Sequence, residues 1–379
     1  MPTVELVGVP MIATGQVDVY SGVARLAGKV WGSLHRAARP AKTAVVVVHP
    51  SSNFLGHYLL GPLAERGVDA IGLTTRYIGN DSTLIMENCV LDVGAAIRFL
   101  RGRGYEKIIL VGNSGGGGLT AFYQSQAEAP SVRRTPAGDA PDLTRADLPP
   151  ADALVQLMGH PGRAIVYTEW LDPAITDEKN FRQRDPDLDM FGAQHGPPFS
   201  AEFVERYRAA QLARNRRITG WVRAQLAGLA SDPDGGQDLP FVVQGTVADP
   251  RFLDLRLDPS DREPGTMWGP PHKANLMPAA LGRYTSLRSW LSQWSIDESH
   301  CDGPLHLART SVPTLVMYGT ADQVCFPSHA KMMFDAVPHP DRQLTAVAGG
   351  THYLQGQPHL VDLVADTIMT WLDAHELRA

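Results

Sequence analysis

The chain reads as an α/β protein, a doubly wound and mostly parallel sheet with a mainly helical cap domain inserted between sheet strands. Three observations predict this. Short, largely apolar runs at residues 43–48 (TAVVVV), 69–74 (DAIGLT) and 108–111 (IILV) have the composition of strands covered on both faces, as in a parallel sheet. Between them lie helical patterns, the alternation that builds βαβ units. That alternation stops near Arg163, is absent to about Leu307, and then resumes. The expected organisation is therefore 1–162 as the first part of the core, 163–307 as a cap or lid, and 308–379 as the second part of the core.

Taken in order, residues 3–9 and 29–35 read as a strand pair separated by Gly and Pro. The strand at 43–48 closes on His49-Pro50, and the loop 51–57 leads into a helix through Gly61-Pro62. The strand at 69–74 is followed by a polar loop, 76–82. Residues 87–101 carry Val90, Val93, Ala96, Ile97 and Leu100 at helical spacing, which predicts an amphipathic crossover helix. A strand at 108–111, a helix at 119–129 and a surface excursion rich in Pro, Asp and Arg at 129–150 come next. After a strand at 153–158, one long helical pattern at 201–229 dominates the insertion. Strands at 314–318 and 343–347 and helices at 328–336 and 359–377 complete the chain.

Composition excludes several classes. A net charge of −6 with mixed signs leaves no footprint for nucleic acid. No run approaches the roughly 18 apolar residues of a membrane span. The N-terminus lacks a basic, then apolar, leader pattern. Cys89, Cys301 and Cys325 are odd in number and widely spaced, which reads as reduced thiols and neither a disulfide framework nor a zinc site. The expectation is a cytoplasmic protein with no membrane or nucleic-acid partner, no metal and no cofactor. The oligomeric state stays open, a homodimer being compatible with it.

The chemistry gathers at Gly112-Asn113-Ser114-Gly115-Gly116, directly after the strand at 108–111. A strand that reverses into a helix within a few residues needs backbone angles and close approaches that side chains obstruct, so glycine belongs at 112 and 116. Ser114 is left at the tip, and the Gly115 amide opens the following helix, where an oxyanion would be stabilised. The sequence lacks the G-K-[ST] ending and the G-x-G-x-x-G spacing of phosphate-binding loops. A serine hydroxyl needs a base, and the base an orienting acid. Asp322 follows the strand at 314–318, and His352 follows the strand at 343–347.

This G-x-S-x-G elbow, with an acid and a histidine after later strands in the order Ser, Asp, His, resembles the α/β-hydrolase superfamily. The resemblance covers about 29–129, 151–162 and 312–377, and leaves the cap outside. It implies Ser114 as nucleophile, His352 as general base and Asp322 as the acid that fixes the imidazole tautomer. His359, after Pro358, is a rival base; Asp81 and Asp92 are rival acids, Asp92 lying within the helix ahead of the elbow. The resemblance also implies a second oxyanion donor in the loop after the strand at 43–48. His49-Pro50-Ser51 stands where the superfamily often has His-Gly, which leaves the Ser51 amide as the donor and Ser52 as the alternative, with His49 bracing the loop.

A serine nucleophile implies an acyl-enzyme and excludes the branches of the superfamily with an Asp nucleophile. Carboxylic ester hydrolysis of a small to medium, apolar or aromatic molecule is the default. Thioester or carbon-carbon bond hydrolysis and acyl transfer use the same triad, and a non-catalytic binding protein is the remote alternative. Ser52, His160 and Trp170 are expected at the substrate pocket. Trp221, Trp290 and Trp294 read either as pocket lining or as cap core, Arg206, Arg208, Arg214, Arg216, Arg217 and Arg223 as a solvated helix face, and Cys325 as a small buried residue.

Overall fold

The computed structural model describes residues 3–11, 19–20, 23–24, 28–232, 234 and 236–378. Eight strands form the central sheet: β1 (Thr3–Pro10), β2 (Lys29–Arg36), β3 (Thr43–Val48), β4 (Asp69–Leu73), β5 (Lys107–Ser114), β6 (Ala153–Gly159), β7 (Thr314–Gly319) and β8 (Arg342–Val347). Their spatial order is β1-β2-β4-β3-β5-β6-β7-β8. β1 and β2 form an antiparallel pair at one edge, with Thr3 opposite Arg36, and β2 runs antiparallel to β4. All pairs from β4 to β8 are parallel.

The central strands divide their apolar side chains between two cores. Val46, Val48, Ile108 and Leu110 face α2 (Met86–Gly102) and α3 (Gly116–Glu128). Val45, Val47, Ile109 and Val111 face α1 (Leu60–Glu65) and the C-terminal helix. Each valine so buried contributes about 2 kcal/mol, which makes the central strands the firmest part of the chain. The chain winds one way from β3 to β4 and the other way from β3 to β5. The carboxyl ends of β3 and β5 therefore flank the crevice where such sheets bind ligands.

The segment between β6 and β7 contains α4 (Arg163–Trp170), α5 (Ala201–Ser231) and a short antiparallel ladder of Pro240–Val242 with Tyr284–Ser286. Ser200 caps α5, its Oγ accepting the Phe203 amide at 3.1 Å. The buried face of α5 is partly polar: Asn215 donates to the Trp294 carbonyl at 2.8 Å, and Arg214 to the Asp172 carbonyl at 2.8 Å. Val166, Trp170 and Phe252 of this segment pack with Val324, Cys325 and Phe326, just after β7. This segment thus packs against the loop that leaves the carboxyl end of β7. Two further helices, α6 (Pro327–Ala336) and α7 (Pro358–Ala374), follow β7 and β8.

Two of the differences from the helices expected above lie close to the elbow. α4 is missing from those helices because eight residues, RAIVYTEW, are too few and too rich in branched and aromatic types to show a helical period. α3 starts three residues earlier than expected. Its glycines cost helix propensity, about 1 kcal/mol each relative to Ala. Side chains have no room there: a Cβ on Gly117 would lie 3.0 Å from the His160 carbonyl, and one on Gly118 3.0 Å from Gly162 Cα.

Candidate active site

Ser114 sits at the end of β5 with φ +56°, a left-handed backbone that non-glycine residues rarely hold. Its surroundings impose that strain. A Cβ on Gly112 would fall 2.4 Å from the Gly116 carbonyl, and one on Gly116 2.1 Å from that of Val48, so the turn closes only with glycine at both places. The Ser114 carbonyl accepts the His160 amide at 3.1 Å. Asn113 donates to the Leu157 carbonyl at 2.7 Å, and its Oδ1 stands 3.1 Å from His57 Nε2. The strand end is anchored on both sides, leaving Ser114 at the rim.

The loops after β7 and β8 are joined to each other. Thr320 N–H donates to the Val347 carbonyl at 3.0 Å, Ala321 N–H to that of Gly350 at 3.0 Å, and Gly349 N–H to Thr320 Oγ1 at 2.8 Å. This zipper sets Asp322 beside His352, whose Nδ1 lies 2.9 Å from Asp322 Oδ2. The other carboxylate oxygen accepts the amides of Val324 at 2.7 Å and Cys325 at 3.0 Å. Both residues are buried. Asp322 is thereby held by three donors, and the bond to it uses His352 Nδ1 and leaves Nε2 outside the pair.

One cavity of about 280 Å³ brings His352 and Ser114 together, with Asp322 behind its wall. Ser51, Ser52, Ser114, His160, Trp170 and His352 all line it. So do several residues that the sequence reading did not bring to the pocket, among them Arg163, Tyr353 and Trp268. Its outer wall is apolar, from Val166, Trp170, Met267, Trp268 and Leu281. The Tyr353 ring meets His352 edge-on with centroids 4.4 Å apart and lines the cavity together with Ser114 and Ser52. Burial is the largest cause pushing the Tyr353 phenol above its ordinary range. Its place directly after His352, on a loop at the carboxyl ends of the strands, was the available signal.

The rivals lie elsewhere. Asp92 is fully buried in an ion pair with Arg76, at 2.9 Å, and also accepts the Arg76 amide at 2.8 Å. Asp81 pairs with Arg163 at 2.9 Å. His359 is exposed at the start of α7. Trp290 and Trp294 belong to the core of the insertion, and Trp221 is exposed against Phe241. The six arginines of α5 all bond protein acceptors, such as Arg216 with Asp297 at 2.8 Å, and none lines the cavity; Arg214 departs from the expected solvated face by being buried.

The expected second oxyanion donor is corrected. The amides of Ser51 and Ser52 both donate to His49 Nδ1, at 3.1 and 2.8 Å, so neither is directed at the space beside Ser114. With proline at 50, the loop folds back on its own histidine. His49 and His160 are both buried and held well below the usual imidazole range, chiefly by burial and then by neighbouring positive charge, including Arg163. Both imidazoles are neutral around pH 7.

Among the described residues, Asp322, Cys325 and His352 form one group close enough to hold a cation. Asp322 and His352 already bond each other there, and burial pushes the Cys325 thiol well above its usual range. The sulfur is a protonated neighbour of the pair, and the donor set does not favour a metal. All three cysteines are free and buried.

A doubly wound sheet carrying a serine on the sharp turn after its central strand, and an acid and a histidine after the two strands beyond the insertion, defines the α/β-hydrolase fold. The α/β hydrolase GrgF from Penicillium sp. sh18 superposes on 98% of this chain and 99% of its own, with a TM-score of 0.53 and 14% identity. At that identity the likeness concerns the fold alone. A monoacylglycerol lipase from Paleococcus ferrophilus matches 91% of this chain and 99% of its own at 17% identity and a TM-score of 0.46. The esterase domain of a Rhodothermus marinus protein matches 98% of each at 12% identity and the same score. No protein-family model and no curated protein matches the sequence.

Proposed function

We propose that the chain is a serine hydrolase that cleaves a carboxylic ester of a small to medium, largely apolar or aromatic substrate through an acyl-enzyme. The observation that carries this reading is the His352 Nδ1 to Asp322 Oδ2 bond of 2.9 Å, in one cavity with a serine on a positive-φ elbow. Ser114 Oγ attacks the ester carbonyl while His352 Nε2 takes the hydroxyl proton. Asp322 holds the imidazole with its proton on Nδ1 and stabilises the imidazolium. The tetrahedral intermediate collapses as His352 returns the proton to the leaving alkoxide, and water repeats the sequence to release the acid.

Residues 163–307 act as the cap in this reading. Their apolar wall of Val166, Trp170 and Trp268 faces Ser114 and selects the acyl or alcohol group. A cavity of about 280 Å³ fits a ligand of modest size. No helix among the described residues is long and apolar enough to cross a membrane. A cytoplasmic location belongs to the same proposal and rests on three free, buried thiols.

The test is fluorophosphonate labelling with a panel of acyl esters graded in chain length and aromatic character. The wild type is expected to be labelled on Ser114 and to turn over an aromatic or short-chain ester, with activity retained in a chelator. Ser114→Ala is expected to do neither. An unlabelled wild type would sink the proposal.

A further inference from the structure

The loop after β3 raises a question that the hydrolase reading leaves open, namely what completes the oxyanion site opposite the Gly115 amide. Pro50 has no N–H, and the next two amides end on His49 Nδ1. An Nδ1 that accepts two N–H bonds carries no proton, so in the neutral imidazole the proton is on Nε2. That nitrogen faces the elbow: a Cβ on Gly115 would stand 2.9 Å from His49 Nε2. A methyl group would not fit there, so the imidazole packs directly against the Gly115 backbone at the start of α3. His49 lines the same cavity as Ser114 and His352.

Building on the acyl-enzyme reading, we propose that the Nε2–H of His49 is the second oxyanion donor, replacing the backbone amide of its loop. As the carbonyl carbon becomes tetrahedral, its oxygen gains negative charge between Gly115 N–H and His49 Nε2–H. His49 donates a hydrogen bond and keeps its proton, so it takes no part in the proton transfers of His352. The Ser51 and Ser52 amides act indirectly, by fixing the tautomer. Packing fixes the ring, whose centroid lies 5.5 Å from that of Phe54. Burial, Arg163 and the neighbouring imidazoles keep it neutral. His160 is the nearest rival; its Nε2 lies 3.4 Å from the same Gly115 position, and its Nδ1 accepts only one amide, that of Gly162 at 3.3 Å.

Two substitutions separate donation from bracing. His49→Asn keeps an acceptor near the Nδ1 position and removes the donor. His49→Gln places an amide N–H near the Nε2 position and removes the acceptor. The Asn variant is expected to lose about 10²- to 10³-fold in kcat on the best ester with KM within a few-fold, as on removal of one oxyanion donor, and to be labelled correspondingly slowly by a fluorophosphonate. The Gln variant is expected to recover at least tenfold of that loss. An Asn variant within threefold of wild type overturns the proposal. So does a Gln variant poorer than the Asn one, which leaves His49 as a loop brace, or a greater loss from His160→Asn or Tyr353→Phe than from His49→Asn.

If neither His49 variant folds, ¹⁵N-histidine wild type with a trifluoromethyl ketone decides the matter. The His49 Nε2–H resonance should move downfield when the hemiketal forms, and an unmoved resonance overturns the assignment. A labelled, active wild type with an unaffected His49→Asn removes this inference alone. A wild type that is neither labelled nor active removes the hydrolase reading with it.

Discussion

The Arg163 guanidinium, in the first turn of α4, donates to Ser51 Oγ at 2.6 Å and so ties the insertion to the loop after β3. The same group binds Asp81 at 2.9 Å and Gln293 at 2.5 Å, and stacks 5.0 Å from the centre of a Trp294 ring. One buried cation therefore joins the loops after β3 and β4 to the segment that roofs the cavity. Arg163→Met is expected to lower stability by about 3 kcal/mol, because it leaves the Asp81 carboxylate without its partner in a partly buried place. Adding Asp81→Asn should recover part of that loss. Chemical denaturation of the three proteins measures both effects, and a neutral Arg163→Met would show that the tie is dispensable.

Asp322→Asn keeps the size of the side chain and an oxygen for the Val324 and Cys325 amides. It turns an NH₂ toward His352 Nδ1, which forces the proton of the imidazole onto the nitrogen that must act as base. Turnover of the best ester is expected to fall on the order of 10⁴-fold. Ser114→Ala and His352→Ala should each cost at least as much, and their double variant little more than either alone, since the three act as a unit. A tenfold or smaller loss in Asp322→Asn would remove the acid from the scheme.

Stability is expected to fall on acidification. Burial pushes His57 down to about 4 against the opposing bond to Asn113, and pushes His306 down to about 4 against its bond to the His300 carbonyl. In the unfolded chain both titrate near the ordinary value of 6.5. Between those limits the unfolded state binds more protons, so their contribution is fully present above pH 6.5 and is lost as the pH falls toward about 4. The loss amounts to about 3 kcal/mol for each histidine. Urea titrations at neutral pH and at pH values between those limits should show the slope. His57→Gln, which can keep the donor to Asn113 without titrating, should flatten it, and an unchanged slope would exclude His57 as a contributor.

Gly116→Ala is expected to destabilise by about 3 kcal/mol and to lower activity, because its Cβ would lie 2.1 Å from the Val48 carbonyl, one residue before His49. Gly61→Ala is the control. Nothing lies within 4 Å of a Cβ there, inside α1, so the change should be neutral or stabilise by up to about 1 kcal/mol. Thermal melts of the two variants are the measurement. Equal effects would mean that the contact at the elbow is relieved elsewhere.

The central strands were legible because a strand buried on both faces must be apolar along nearly its whole length, as TAVVVV is after Thr43. The long helix was legible for the opposite reason: its buried residues Phe203, Tyr207, Ile218 and Val222 recur at helical spacing. The loop after β3 was not. Its sequence offered the Ser51 and Ser52 amides as free donors, and only the folded backbone turns them onto His49. Arg163 was missed for a related reason, since its three partners come from distant parts of the chain.

Ser114, Asp322 and His352 were named by the sequence because each is marked locally, by glycines around a turn or by a polar residue just past an apolar strand. The chain alone therefore determined the sheet, the elbow and which side chains follow which strands. Tertiary structure decided that the Ser51 and Ser52 amides end on His49, which arginine is buried beside the cavity and which tryptophans wall it. Those outcomes depend on where separate loops meet, and a hydrogen bond between residues far apart in sequence leaves no periodicity or spacing behind.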